Sequence, residues 1–235
     1  MHVLDHCDKE ALIEKYRPHR IAVENIEEAD LVWDGRPYTE LIGRRDVYDW
    51  IIASHVLEYT TDLIGFPNDC DSLLKKRRPF AGGSRQALFF RSLSRECWDR
   101  ARYRHREEST EVHPAGRAAE YFLTVVSRDG RRIVWDATGK GEFKLVHSWE
   151  QAKQAIRGVS ERETCLDVFE SCFTPTSFRL MMHDLFEPGF IQLKELAFYP
   201  STGSEFYSAL SRSGELPAGT ELELLQQVDR EQSLS

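Results

Sequence analysis

Ten residues, Val47 to Val56 (VYDWIIASHV), constrain the fold more than any other stretch. Trp50, Ile51 and Ile52 are consecutive apolar side chains of strand-forming type. A strand with only one buried face alternates apolar and polar residues, whereas an unbroken run suits a strand covered on both faces. The run therefore predicts a central parallel strand with helices on either side.

The flanking segments fit that scheme. Residues 2–5 (HVLD) predict a short strand ending at Asp5, and Asp8 then caps a helix to about Tyr16 that Pro18 stops. Residues 29–33 (ADLVW) predict a second short strand, followed by the turn Asp34-Gly35-Arg36-Pro37. A helix opens near Thr61 or Asp62, or nearer Pro67, because a proline deep in a helix costs ~3 kcal/mol. Residues 114–127 and 148–156 predict helices, with short extended pieces at 133–135 and 142–146. Thr174 caps a helix with Pro175 at its first position and an apolar stripe of Phe178, Met181, Met182, Leu185 and Phe186. Residues 190–199 and 205–211 predict an antiparallel hairpin, and Glu221 to Asp229 a polar helix or frayed tail. The whole reads as α/β, a mostly parallel sheet with a C-terminal antiparallel hairpin. Ligands of such sheets bind outside the carboxyl ends of the strands, which singles out Asp5, Asp34, Ser54 and His55.

Composition excludes several classes. With 41% hydrophobic and 30% charged residues in 235, the chain has the make-up of a folded domain. A mean hydropathy of −0.49 and the lack of any apolar run near ~18 residues predict no membrane span. The first residues, MHVLDHCDKE, carry acids where a signal peptide needs a basic and then an apolar start, so a cytoplasmic location is expected. Five scattered cysteines without a C-x-x-C pair predict reduced thiols and no metal site. Net charge is −8, yet residues 75–106 hold eleven basic against two acidic residues. Such a block is a candidate nucleic-acid footprint, but its aromatic residues are interleaved without order and no binding motif accompanies them, so nucleic acid is not the expected partner.

The segment DVYDWIIASHVLEYTTDLIGF, followed by Leu73-Leu74-Lys75, resembles the middle of class I S-adenosylmethionine-dependent methyltransferases, with Ser54-His55-Val56-Leu57-Glu58 as the matching strand-end motif. CFTPTSFRLMMHDL and EFYSALSR resemble the closing helix and strand of the same family, and the similarity spans most of 1–75 and 112–213. The resemblance implies a Rossmann-like sheet with S-adenosylmethionine as cofactor. It implies that Asp5 accepts hydrogen bonds from the ribose hydroxyls, that Asp34 lies near the adenine, and that Ser54 and His55 line the cofactor–substrate mouth. His55 is the candidate base, and a small or glycan-linked molecule the methyl acceptor. Each has an ordinary counterpart: a packing or hydrogen-bonding histidine at His55, a cap or turn carboxylate at Asp5 and Asp34.

Two departures from the family follow. The family's first strand and glycine-rich loop have no counterpart before Asp5, which predicts an N-terminally truncated domain and an open sheet edge for a partner to cover. Residues 75–111 read as an atypical basic insert or a disturbed reading frame within a domain of residues 1–213, followed by a polar tail at 214–235. The alternative to an enzyme is a non-catalytic remnant or interaction domain of the same fold.

Overall fold

The computed structural model describes residues 1–17, 22–75, 80–85, 115–128, 141–160, 168, 170–202 and 205–233. Pro18, residues 133–135, Cys97, Cys165 and all of the basic block except Lys75 and residues 80–85 lie outside them.

The chain starts with strand β1 (Leu4–Asp5) and helix α1 (Lys9–Tyr16). The Asp8 carboxylate accepts the Ala11 N–H at 2.9 Å, satisfying one of the four amides a helix start leaves unpaired. Strand β2 (Leu31–Val32) then pairs with β1 in parallel, Leu4 opposite Leu31 and Asp5 opposite Val32. Helix α2 (Tyr38–Ile42) ends at Gly43, whose φ of 70° is the left-handed closure that favours glycine.

Strand β3 (Ile51–Ser54) is followed by helix α3 (Gly65–Leu73). The later of the two expected starts holds for α3. Asp62 accepts the Ile64 and Gly65 amides at 3.1 and 2.7 Å, and Pro67 falls in the first turn, where its missing N–H costs nothing. Strand β4 (Phe80–Arg85) lies inside the basic block and pairs in parallel with β3, Ser54 opposite Gly83. Helix α4 (Ala115–Thr124) yields to strand β5 (Val126–Arg128), earlier than the expected end at Ser127, and β5 pairs antiparallel with β6 (Phe143–Leu145). Helix α5 (Trp149–Ser160) packs against α4, with Ala118 and Ala152 buried.

Helix α6 (Pro175–Phe186) is the best specified element. Thr174 Oγ1 accepts the Ser177 N–H at 3.1 Å and Ser177 Oγ accepts the Thr174 N–H at 2.8 Å, a reciprocal capping box. Strands β7 (Lys194–Thr202) and β8 (Glu205–Ser211) form the antiparallel hairpin, and Gly214 follows so close to the Lys194 and Glu195 carbonyls that a Cβ would lie within 2.6 Å of both oxygens. The C-terminal helix α7 (Glu221–Ser233) buries Leu224 and Val228 against Leu180 of α6, so the polar helix forms and is docked.

Together β3, β4, β8 and β7 make one sheet in that order. Its core holds Ala53, Leu57, Phe66, Phe173, Phe178, Met181, Phe206 and Leu210. Two corrections follow. Only β3–β4 in this sheet is parallel; β4–β8 and β8–β7 are antiparallel, so the architecture is mixed α/β rather than mostly parallel. Nor is β3 buried on both faces. It lies at one end of the described strand order, Ala53 facing the core while Ile52 is 66% and Trp50 51% exposed. The apolar run marks a strand; it does not say what covers each face.

Candidate functional site

The end of β3 builds a site from three acidic or basic side chains. His55 has φ 54°, a left-handed conformation that costs a residue with a Cβ ~1–2 kcal/mol. It interrupts the strand's alternation and starts a turn closed by the Tyr59 N–H donating to the Val56 carbonyl at 3.0 Å. The turn is anchored from beneath. Leu57 inserts into the core, and the Glu58 carbonyl accepts the Glu170 and Ser171 amides at 2.8 and 3.0 Å. These contacts hold the left-handed residue in place.

The His55 ring then lies between two carboxylates. Nδ1 is 3.3 Å from Glu58 Oε1, and Nε2 is 3.0 Å from Glu205 Oε1 at the start of β8. Glu58 is 2% exposed, whereas the side chains of His55 and Glu205 keep 30% and 32% of their surface. The Tyr207 hydroxyl donates to the other oxygen of Glu205 at 2.7 Å, and that bond holds its own proton more tightly than a free phenol does. A buried carboxylate on one ring nitrogen with the other turned to a rim is the arrangement that orients a histidine base. His55 therefore has the partner its sequence neighbourhood alone did not identify. Glu58, three residues on, was within reach of a spacing argument; Glu205, 150 residues away, was not. Ser54 is exposed beside it.

Asp5 closes β1 and Asp34 follows β2, as expected from the sequence. Asp5 Oδ1 accepts the His6 backbone N–H at 2.7 Å and faces His6 Nδ1 at 2.6 Å, leaving the side chain 36% exposed. A carboxylate with one oxygen so engaged keeps acceptor capacity for a pair of vicinal hydroxyls. Asp34 is drawn instead into its own turn. Arg36 Nε and Nη2 reach its carboxylate at 2.7–3.0 Å, and the side-chain hydrogen bond from Arg36 holds its carboxyl below the usual range. Trp33 Nε1 donates to the Arg36 carbonyl at 2.8 Å, fixing the same turn.

The structure thus brings His55 together with Glu58 and Glu205. Asp5 and Asp34 meet local partners, His6 and Arg36, on a separate parallel ribbon. The two parts are tied at their starts by His2 Nδ1 and the Tyr48 hydroxyl, 2.6 Å apart. No helix among the described residues is long and apolar enough to cross a membrane. Comparison with known proteins finds no matching family model, no matching curated protein and no matching solved structure.

Proposed function

We propose that the chain is a Rossmann-like domain of the S-adenosylmethionine-dependent methyltransferase type, acting on a small or glycan-linked acceptor with His55 as the base. The observation that carries this is placement: Asp5 ends β1, Asp34 lies two residues after β2 and His55 directly follows β3, and each of these strands is paired in parallel.

Strand order supports it. In a doubly wound sheet of order 3-2-1-4-5, β1 and β2 suit places two and three, while β3 and β4 suit places four and five. None of the described strands takes place one of that order. Asp5 would hold the ribose hydroxyls, Asp34 would lie by the adenine, and Ser54 would line the mouth. The cofactor supplies an electrophilic methyl on a sulfonium. His55 Nε2 would take the proton that the acceptor heteroatom gives up. Glu58 holds the ring through Nδ1 and stabilises the imidazolium. Positioning supplies most of the rate in such a displacement.

Calorimetry with S-adenosylhomocysteine tests this reading. Binding is expected, weakened at least several-fold in Asp5→Ala and unaltered in Glu223→Gln on the distant α7. Absence of any binding heat over the millimolar range refutes the cofactor assignment, and an unchanged affinity in Asp5→Ala refutes the ribose role.

A second reading rests on the same open edges. The outer edges of β1 and β3 pair with no described strand, and such edges accept an added strand from a partner protein. In that case the domain is an interaction module of the same fold.

A further inference from the structure

One face of the four-stranded sheet packs on the core, with Ala53, Phe206 and Leu210 at most 4% exposed. Side chains alternate along a strand, so their neighbours stand on the opposite face. There Ile52, Tyr199 and Tyr207 are 66%, 58% and 45% exposed, and Ser54 is exposed beside them. Strand register sets these residues in two rows. One runs Ser54, Gly83, Tyr207, Tyr199 and the other Ile52, Ala81, Ala209, Ala197.

The rows are uneven in chemistry. Tyr207 and Tyr199 are direct cross-strand neighbours, a spacing that holds Cβ atoms ~4.5–5.5 Å apart, so two rings share the β8–β7 side of the face. Ser54 and Tyr207 are two strand spacings or ~10 Å apart, and the residue between them is a glycine. Glu205 stands two residues before Tyr207 on the same face. One of its oxygens accepts the Tyr207 hydroxyl at 2.7 Å, the other faces His55 Nε2 at 3.0 Å, and its side chain keeps 32% of its surface.

We propose that this face is a carbohydrate platform: Tyr207 and Tyr199 stack a neutral sugar ring, while Glu205 and Ser54 hydrogen-bond its hydroxyls. Single exposed apolar side chains are ordinary, but Ile52, Tyr199 and Tyr207 are gathered on one sheet face, which marks a binding surface. The electron-rich face of an aromatic ring attracts positively polarised edges, and the C–H groups of a sugar ring are such an edge. The polar groups select the class. A carboxylate only accepts hydrogen bonds and has lone pairs beyond the two already engaged, which suits a ligand rich in hydroxyl donors. Its charge repels a phosphodiester chain or an acidic peptide. A purely apolar partner would desolvate the Glu205 carboxylate and the Ser54 hydroxyl and offer nothing in return. Sugar binding is argued from this face alone. That the sugar is the methyl acceptor rests on the proposed function, under which a hydroxyl held at Glu205 lies beside His55 Nε2.

The test is a backbone amide NMR titration of the full chain without cofactor, using cellobiose, lactose and maltose and, separately, a single-stranded uridine oligonucleotide. At least one disaccharide is expected to shift Ser54, Tyr199, Tyr207 and Ala209 along one saturation curve in the millimolar range. Its affinity is expected to fall at least ~5-fold in Tyr207→Ala and in Tyr199→Ala, the size a lost aromatic contact supports, and to hold in Tyr199→Phe, which keeps the ring. No shift at these amides with any of the sugars overturns the platform, and that measurement decides the matter even where a variant does not fold. Equal affinities in the native chain and Tyr207→Ala overturn it as well. So do shifts of the same amides by the oligonucleotide with none from the sugars, which assign the face to nucleic acid. Sugar binding without S-adenosylhomocysteine binding upholds the platform and removes its acceptor role, whereas the reverse removes the platform alone.

Discussion

The four-stranded sheet and the β1–β2 ribbon both carry candidate site residues at strand ends, but they are held in different ways. The sheet rests on a core that includes Phe173, Phe178, Phe206 and Leu210, all at most 2% exposed. The ribbon pairs two residues from each strand, and none of the four is buried. Its order comes from polar contacts: Asp30 Oδ2 accepting the Val3 N–H at 2.7 Å, the Asp5 carbonyl accepting the Trp33 N–H at 2.8 Å, and the His2–Tyr48 link. Burial of apolar surface contributes far more per residue than solvated hydrogen bonds do. His55 is thus placed by a rigid scaffold and Asp5 by a weakly anchored one, so a ligand that bridges them orders the ribbon more than the sheet.

This contrast breaks most visibly in the core. Phe206→Ala is expected to lower global stability by ~3–5 kcal/mol in urea denaturation, whereas Leu4→Ala in the ribbon costs about 1 kcal/mol or less. Similar losses at the two positions would mean that the ribbon is part of the main cooperative unit. A smaller effect is expected at the Asp71–Arg212 pair, which links α3 to the end of β8 through bonds of 2.8–3.0 Å. Arg212→Ala leaves a buried carboxylate without its guanidinium and is expected to cost ~1–3 kcal/mol, read from the same unfolding curves.

Next comes an alkaline effect confined to the core side. Burial pushes the Cys70 thiol well above its ordinary range, with the Asp69 and Asp71 carboxylates adding to the shift. The folded state therefore keeps a proton that the unfolded chain releases above about pH 8.5. Stability from this source is complete below that pH and declines as pH rises beyond it. Cys70→Ala is expected to flatten the alkaline limb of a melting-temperature profile; a limb of unchanged slope would assign the loss to other groups. Tyr38, raised by burial in the same way, contributes with the same sign. The smallest effect is at the link itself. Tyr48→Phe removes the hydroxyl facing His2 and is expected to change global stability by less than ~1 kcal/mol. Amide exchange at Leu31 and Trp33 quickens while that of β8 is unchanged; equal exchange in both regions would erase the distinction between them.

Sequence patterns revealed elements whose determinants are local. Helix α6 was legible because its cap, first-turn proline and apolar stripe all lie within residues 174–186, and α1 because Asp8 meets an amide three residues on. Strand β4 was not, since Phe80-Ala-Gly-Gly-Ser-Arg has no alternation, and its extended state is dictated by β3 and β8 on either side. The exposure of Ile52 and Trp50 was illegible for a related reason, as apolar character does not reveal which neighbours arrive. Strand-end logic picked out Asp5, Asp34 and His55, which do lie at or just after strand ends. It missed that Arg36 engages Asp34 and that Glu205 completes the His55 cluster, because the second of these is a contact between remote segments.

The central claim is that ribbon and sheet present one nucleoside pocket, and a backbone amide NMR titration with S-adenosylhomocysteine tests it most directly. The account predicts that amides of Asp5 and His6 and amides of Ser54 to Glu58 shift together along one saturation curve. Shifts confined to one group, or to neither, would contradict it.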